Sequence, residues 1–292
     1  MKKHFLMLPL SARYMLLSGL GFALMAVCVK YASQSGLPLF EIVAARALVS
    51  LIISYIDVRR RGVHPLGQRK GLLVARAVVG TLALMCVYYA VTSMPLADAT
   101  VLQYLHPMFT ALIAWFVLKE RIHSATLICI ILSLTGLILI ARPAFLFGSL
   151  HSEIDTFALV AALFGALGSA VAYVLVRKLN ETEDSSVIIL YFPLFALPFA
   201  LVCLGADFVW PQGWQWLVLV LVGVFTQVGQ VGLTKAMQTE TAGKATAFSY
   251  VQVVFAAVLG WVFFAEIPSV WTYLGGGLIV LGAAINLLRG KR

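Results

Sequence analysis

Three side chains that can donate and accept hydrogen bonds lie together in one long apolar run of the sequence. They are Gln103, Tyr104 and His106, and Pro107 follows them directly. Because proline has no backbone N–H and its ring crowds the carbonyl four residues earlier, we expect a kink that frees a polar carbonyl, that of Gln103. Histidine titrates near neutral pH, so His106 is predicted to bind a ligand or to carry a proton. The alternative is a structural histidine that is hydrogen-bonded to a neighbouring helix.

A second polar patch follows 146 residues later, at the corresponding positions of another apolar run. It consists of Ser249, Tyr250 and Gln252. Two matched patches favour one shared binding site over chance packing. Neutral side chains in other apolar runs extend the set of candidates: Tyr88, Tyr89, Gln227 and Gln230. The two glutamines either line the same site or tie helices together through hydrogen bonds worth about 0.6–2 kcal/mol.

The elements that hold these patches must be membrane helices. The chain of 292 residues is 62% hydrophobic and 11% charged, whereas a soluble globular protein carries about 25% charged residues. Apolar runs of the length that a membrane helix needs recur ten times, and they are too long and continuous for the strands of a barrel. The predicted helices are residues 14–31, 37–57, 71–92, 96–118, 124–141, 156–176, 186–204, 213–234, 244–264 and 269–288. The predicted fold class is an all-α integral membrane protein with ten transmembrane helices.

Lysine and arginine are distributed unevenly between the two sides of these helices. With the N-terminus in the cytoplasm, 18 of the 21 basic residues fall on the cytoplasmic side, including Arg76 and the terminal residues Lys2, Lys3, Lys291 and Arg292. Two fall on the opposite side and one lies within a helix. The positive-inside rule therefore predicts a multi-pass protein of the cell inner membrane with both termini in the cytoplasm. Because these charges lie in loops that set topology, nucleic acid is not an expected partner.

The sequence repeats itself with the same offset of 146 residues over longer stretches. The shift places Trp115 on Trp261 and Glu120 on Glu266. Each half then has five helices, and an odd number forces the halves into opposite orientations. Inverted repeats with a binding site near the midplane are a recurring transporter design. The predicted repeats are residues 12–143, with helices one to five, and residues 155–289, with helices six to ten.

Two stretches carry a resemblance to a known family. They read PLADATVLQYLHPMFTALIAWFVLKERI and TAGKATAFSYVQVVFAAVLGWVFFAEIPSVWTYLGGGLIVLG, and they resemble the paired EamA domains of the drug/metabolite transporter superfamily. The resemblance implies a cavity mainly between the third, fourth, eighth and ninth helices and parts of the first and sixth. It also implies an exporter of amino acids and related metabolites. The alternative is an importer of nucleoside-like or vitamin-like compounds, such as S-adenosylmethionine or riboflavin.

One arginine lies inside a predicted helix. Arg46 is about a third of the way into the second helix, with Glu41 and Lys30 close to it along the chain. An arginine deep in a membrane helix costs about 2.5–3.5 kcal/mol on insertion scales, so a role is expected for it. One interpretation is a charge cluster of these three residues that fixes the first two helices. The other is that Arg46 attracts or gates an anionic group.

The predicted helices contain no aspartate or glutamate near their middle. A transporter of cations commonly needs a buried carboxylate, so a purely cationic cargo is disfavoured. An aromatic cage of Tyr88, Tyr104, Tyr250 and Trp115 is the remaining way to hold a cation. We therefore expect an amino acid or another zwitterionic or carboxylate-bearing compound. Proton coupling then falls to His106 or is absent, and a facilitator is the alternative.

Other classes of membrane protein fit the sequence less well. An enzyme needs clustered His, Asp and Glu at one face, and a channel favours rings of charge or a filter loop; the sequence has neither pattern. The four cysteines have no CxxC spacing and no paired histidines, so no metal or other cofactor is expected. The expected partners are a small-molecule substrate and the lipid bilayer, with the chain either a monomer or a homodimer.

Overall fold

Ten helices in the described part of the chain are long and apolar enough to cross a membrane. A computed structural model describes residues 9–94, 96–143, 146 and 156–289. The helices in chain order are Leu10–Gln34 (α1), Leu39–Arg60 (α2), Lys70–Ser93 (α3), Leu96–Gln103 (α4), His106–Val117 (α5), Ser124–Ala141 (α6), Thr156–Leu179 (α7), Ser185–Leu204 (α8), Trp214–Thr239 (α9), Ala242–Ala247 (α10), Val251–Phe264 (α11) and Val270–Arg289 (α12). Helices α4 and α5 together form the fourth span. Helices α10 and α11, joined by a 3₁₀ turn, form the ninth.

The predicted fold class is confirmed, because each of the ten predicted runs coincides with one span and the described residues contain no strand. The main differences are at helix ends: α1 begins at Leu10 rather than at residue 14, and α9 ends at Thr239 rather than at residue 234. A helix follows backbone hydrogen bonds, whereas an apolar run ends at the first polar residues. The predicted terminal charges Lys2, Lys3, Lys291 and Arg292, and the predicted start of the second repeat at residue 155, lie outside the described residues.

The two halves pack on each other in a symmetric pattern. Helix α1 packs on α9, and α3 packs on α7. Because the first span corresponds to the sixth and the third to the eighth, these are the same contact made twice. Helices α2 and α8, and likewise α6 and α12, each pack on their own counterpart. This is the arrangement expected of two inverted five-helix repeats around a pseudo-twofold axis.

Glycine allows the closest of these contacts. Gly136 on α6 and Gly275 on α12 face each other so closely that a methyl group on either one would overlap the carbonyl oxygen of the other. On α1 and α9, a Cβ atom added to Gly21 would lie 2.8 Å from the backbone nitrogen of Gly229. Small residues let membrane helices approach until their backbones touch, which maximises van der Waals packing.

Two ion pairs in related positions lie at the ends of the bundle. At the end where α1 begins and where α5 and α9 finish, which we call the basic end, Arg177 Nε lies 2.8 Å from Glu120 Oε1. At the opposite end, where α1 and α11 finish, Lys30 pairs with Glu266. The two glutamates are 146 residues apart in the sequence and lie at opposite ends of the molecule. The repeats are therefore inverted, as predicted.

Candidate functional site

A cavity of about 320 Å³ lies between the two repeats. Its volume falls in the range of about 300–1,000 Å³ that is typical of small-molecule sites. The family resemblance implies walls from the first, third, fourth, sixth, eighth and ninth spans, and all six contribute side chains. The second and seventh spans also contribute, through Arg46 and Phe192. Each of these eight spans packs on a helix of the other repeat.

The fourth and ninth spans are both interrupted beside this cavity. Helix α4 ends at Gln103 and α5 begins at His106, as the proline predicts. The backbone carbonyl that acquires a new partner is that of Tyr104 rather than Gln103, because the Tyr250 hydroxyl donates to it over 2.7 Å. In the ninth span the helix tightens to a 3₁₀ turn at the corresponding positions, Phe248–Tyr250, without a proline. The two breaks therefore meet, with the rings of Tyr104 and Tyr250 stacked 5.6 Å apart.

His106 lies at the first residue after the break and is buried. Its ring is 5.9 Å from that of Tyr104 and 5.2 Å from that of Tyr173, in an edge-on arrangement with the latter. Its Nδ1 atom is buried and has no hydrogen-bond partner among the described residues. Buried polar atoms without a partner are uncommon, so this Nδ1 atom is available to form a hydrogen bond with a ligand in the cavity.

Eight of the eleven side chains predicted for the site line the cavity: Arg46, Tyr88, Gln103, Tyr104, His106, Gln230, Ser249 and Gln252. Tyr89 does not, because it points to the outside of the bundle and is 49% exposed. Successive helical residues differ by about 100° in direction, so Tyr88 and Tyr89 cannot share a face. Gln227 donates to Ser54 Oγ over 2.8 Å and lines a separate cavity of about 10 Å³. Tyr250 is fully buried behind Tyr104 and positions it.

Arg46 belongs to the cavity and not to a charge cluster. Lys30 pairs with Glu266, and Glu41 Oε2 accepts a hydrogen bond from the backbone N–H of Val209 over 3.0 Å. The predicted cluster of Arg46, Glu41 and Lys30 is therefore not formed. Arg46 itself is buried, and among the described residues its one polar contact is the sulfur of Met25, at 3.8 Å.

Arg76 is a second cavity arginine, and the prediction that it is a loop charge is wrong. It lies six residues inside α3 and is 3% exposed. Its Nη2 donates to Gln230 Oε1 over 3.4 Å, and its guanidinium lies 4.7 Å from the centre of the Phe192 ring. Six residues of helix correspond to roughly 9 Å, so the position of Arg76 in the sequence already indicated that it lies inside the helix rather than in a loop.

Other side chains of the cavity carried weaker signals in the sequence. Ser169 and Tyr173 lie four residues apart on α7, where a pair of polar residues on one face of an apolar helix indicates a wet or buried contact. Gln103 Nε2 lies 3.5 Å from Ser169 Oγ. Among the described residues no aspartate or glutamate lines the cavity, and no group of three metal-ligating side chains occurs.

The predicted aromatic cage is not assembled within the described residues. Tyr88 and Tyr104 line the cavity, and Tyr250 packs behind Tyr104. Trp115, however, is exposed on the outside of the bundle next to Phe116. The cavity thus has two buried cationic groups and no complete aromatic box for a cation, a combination that suits an anionic or zwitterionic ligand.

A bundle of ten helices in two inverted repeats, with a cavity between them, is typical of membrane transporters of small molecules. The chain belongs to the EamA-like transporter family, which matches residues 10–142 and 156–288. It is thus a multi-pass membrane transporter of small molecules and not an enzyme.

Individual relatives are similar over nearly the whole chain. The chain is 35% identical to the pseudopaline exporter CntI of Pseudomonas aeruginosa (strain UCBPP-PA14) over 277 residues, which cover 94% of this chain and 95% of the relative. It is also 35% identical to solute carrier family 35 member G1 of Homo sapiens over 289 residues, covering 94% of this chain and 78% of that protein. A crystal structure with 22% identity superimposes with a TM-score of 0.80 over 94% of this chain and 99% of the other, which shows the shared fold.

Proposed function

We propose that the chain exports a small amino-acid-like metabolite that carries a carboxylate. It does so by alternating access in the cell inner membrane, with both termini in the cytoplasm. The observation that carries the proposal is the cavity between the repeats, which contains the buried guanidinium groups of Arg46 and Arg76 and, among the described residues, no carboxylate. The similarity to a pseudopaline exporter supports the outward direction.

The chemistry of the cavity favours a zwitterionic or anionic compound. A buried charge is costly unless it is paired and hydrogen-bonded, so a substrate carboxylate stabilises a buried guanidinium that has no acidic partner in the protein. Gln103, Ser249 and Gln252 supply neutral donors and acceptors for the remaining polar groups of the substrate. Apolar walls such as Leu84 and Phe22 accept its carbon chain.

The repeat symmetry supports alternating access. The pair Glu120–Arg177 joins the first repeat to the second at the basic end, and Lys30–Glu266 joins them at the opposite end. Loosening one pair while the other tightens exposes the central cavity to each side in turn. The interruptions of the fourth and ninth spans lie at the cavity, where a change in backbone angles moves the walls around the substrate.

The test uses purified protein in liposomes. Pseudopaline, amino acids, nucleosides, vitamins and metallophores are first screened for thermal stabilisation, and the compounds that stabilise are then assayed for transport. His106→Ala and Gln103→Ala should each lower transport about tenfold, the effect of one lost hydrogen bond to a charged ligand, while the melting temperature stays close to that of the wild type. Unchanged transport in both variants would remove the central site.

Adjacent tyrosines provide a matched control for this assay. Tyr88 lines the cavity, whereas Tyr89 faces outwards. Tyr88→Ala should therefore impair transport and Tyr89→Ala should not. A flat transport rate from about pH 5.5 to 8 would exclude proton coupling through His106 and leave a facilitator driven by the substrate gradient.

Direction and orientation need separate measurements. Uptake into inside-out vesicles indicates export, whereas uptake into right-side-out vesicles indicates the alternative, an importer. On a background without the four native cysteines, Arg60→Cys should react with an impermeant thiol reagent only from the cytoplasm, and Ser35→Cys only from outside. The reverse pattern would overturn the proposed orientation.

A further inference from the structure

We propose that Arg46 and Arg76 form a two-point anion site, and that the transported compound carries two acidic groups, one for each guanidinium. The inference rests on the proposed function, because it narrows the substrate class of the same cavity. A compound with a single carboxylate would engage one arginine and leave the other without an anionic partner.

Arg76 provides the first point. Its side chain is almost completely buried, and its Nε and Nη1 atoms have no hydrogen-bond partner among the described residues. The third nitrogen, Nη2, makes a long hydrogen bond of 3.4 Å to the amide oxygen of Gln230. The ring of Phe192, 4.7 Å from the guanidinium, restricts its orientation without using any of its N–H donors. Arg76 is therefore held in place with most of its hydrogen-bonding capacity unused.

Arg46 provides the second point and approaches from the other end of the bundle. It lies seven residues inside α2, which begins at the opposite end, whereas α3, which carries Arg76, begins at the basic end. Each arginine is thus roughly 10 Å deep. Arg46 also lines the small second cavity together with Phe192 and Gln230, the two side chains that Arg76 contacts. The two arginines therefore border the same region of the bundle from two helices that enter it from opposite ends.

Structural arginines of this chain have a different environment. Arg177 donates to the carboxylate of Glu120 over 2.8 Å and to the carbonyl of Met237 over 2.8 Å. Arg61 donates to the carboxylate of Asp57, one helical turn earlier, over 2.9 Å. Arg46 and Arg76 have a thioether and a neutral amide in place of these carboxylates. Arg177 and Arg61 show that a structural arginine in this chain has an acidic neighbour. A structural role therefore does not explain why Arg46 and Arg76 both lack one among the described residues.

Two like charges that face one cavity repel each other, and the repulsion is stronger where water is scarce. A ligand with one acidic group at each arginine removes the repulsion and supplies the missing acceptors at once. Because the arginines reach the cavity from opposite ends, the ligand that satisfies both has its acidic groups at separate points of an elongated molecule. Carboxylates suit this geometry, since guanidinium groups bind them through paired hydrogen bonds.

The probes are two amino acids with the same six-carbon chain. Norleucine ends in a methyl group and 2-aminoadipate ends in a second carboxylate. Dissociation constants are measured on the purified full-length protein from ligand-dependent thermal melting. We expect 2-aminoadipate to bind at least about tenfold more tightly than norleucine, the effect of one additional charge-assisted ion pair.

The variants locate the source of this preference. Arg46→Gln and Arg76→Gln each leave one arginine, so each should lower the affinity for 2-aminoadipate to about that for norleucine and abolish the difference between the two ligands, and Arg76→Lys should restore part of that difference. Arg59→Gln, which removes an exposed arginine beside Tyr55, is the matched control and should change neither ligand. Equal loss of both ligands in the cavity variants would mean a purely structural role and would overturn the proposal.

The outcomes separate this inference from the proposed function. Transport of norleucine with no preference for 2-aminoadipate rejects the two-point site and leaves amino-acid export standing. Binding of adipate, which lacks the amino group, with loss of affinity in both glutamine variants supports the two-point site even if neither amino acid binds. Absence of binding by all three compounds rejects the two-point site.

Discussion

Each end of the bundle contains an ion pair of a repeat-related glutamate with a basic residue, and the two pairs lie in different environments. At the basic end the side chains of Glu120 and Arg177 are 13% and 25% exposed, and Glu120 also accepts a hydrogen bond of 2.8 Å from the backbone N–H of Ala242. At the opposite end Glu266 and Lys30 are 58% and 40% exposed. Repeat symmetry therefore accounts for the presence of each pair but not for how deeply it is enclosed.

The local structure around the two glutamates is nevertheless the same. Lys119 and Ala265, which precede them, both have left-handed backbones, with φ of 55° and 53°. In both turns the N–H of the following glutamate lies 3.3 Å from the carbonyl six residues earlier. Because the turns match, the difference between the ends arises from the tertiary partners alone. The alternating access proposed above predicts that the opposite state exchanges the two environments.

Removing the enclosed glutamate is the strongest way to break this comparison. Glu120→Ala removes the carboxylate from the partly buried Arg177 guanidinium, which keeps the carbonyl of Met237, and leaves the N–H of Ala242 without its acceptor. The change should lower the free energy of unfolding by about 2 kcal/mol. Thermal melting of the purified protein in detergent measures the effect. Glu120→Gln keeps an oxygen for Ala242 and should lose about half as much. A melting temperature equal to that of the wild type in Glu120→Ala would show that the enclosure contributes nothing.

The starts of the second and seventh spans differ in a similar way. Asp184 caps α8 by accepting hydrogen bonds from Ser186 N and Oγ, at 2.8 and 2.6 Å, whereas its counterpart Pro38 gives α2 no side-chain cap. Asp184→Ala should therefore cost about 1.5 kcal/mol, from the lost cap and the lost attraction to Arg61. Pro38→Ala is the control at the opposite end.

Acid should erase the stabilising effect of this cap. Burial alone would raise the pKa of Asp184, but the hydrogen bonds from Ser186 and the charges of Arg61 and Lys235 outweigh it and hold the pKa below its usual value. A carboxyl group with a lowered pKa stabilises the fold above its ordinary pKa of about 3.9 and loses that effect as the pH falls through the folded value. The difference in melting temperature between wild type and Asp184→Ala should shrink in that window. A difference that is constant down to the acid limit would contradict the assignment.

The matched turns allow a test of the local symmetry. A side chain in the left-handed region carries a steric cost that glycine avoids, so Ala265→Gly and Lys119→Gly should each stabilise the protein by about 1 kcal/mol. Both residues are exposed, so few other contacts change. Equal gains, read from melting temperatures, would show that the turns are equivalent. A gain at one end only would mean that the asymmetry begins in the backbone.

The smallest effect is expected at the exposed pair. Glu266→Ala should change the free energy of unfolding by no more than about 0.5 kcal/mol, because exposed ion pairs contribute little. Raising the ionic strength should reduce even this difference, since salt screens exposed charges. A loss as large as that of Glu120→Ala would remove the distinction between the two ends.

Most of the fold could be predicted because a membrane imposes a simple rule on length and polarity. The ten runs, the inversion and the positions of Glu120 and Glu266 all follow from it. The break in the fourth span was signalled by Pro107, but the break at Phe248–Tyr250 has no such residue and is apparent only from the repeat. The turn packs on α1, and Tyr250 donates to the carbonyl of Tyr104; no local sequence pattern records these long-range contacts.

The site was less predictable because depth and direction both matter. Arg76 lies close to a helix start in the sequence, and that position resembles a loop charge, yet its side chain turns into the bundle. Tyr89 differs from Tyr88 only by the rotation of one helical residue, which places it outside. Which face of a helix points into the bundle depends on neighbouring helices that are distant in the sequence. The face can therefore be identified only when the two repeats are packed together.

The glycine contact between α6 and α12 restricts how these two helices can move against each other. With no side chain between Gly136 and Gly275, the two helices lie backbone against backbone, and little tilting between them is available without a collision. Neither helix contributes a side chain to the cavity. The contact therefore joins the two repeats away from the cavity, whose lining comes from the eight remaining spans.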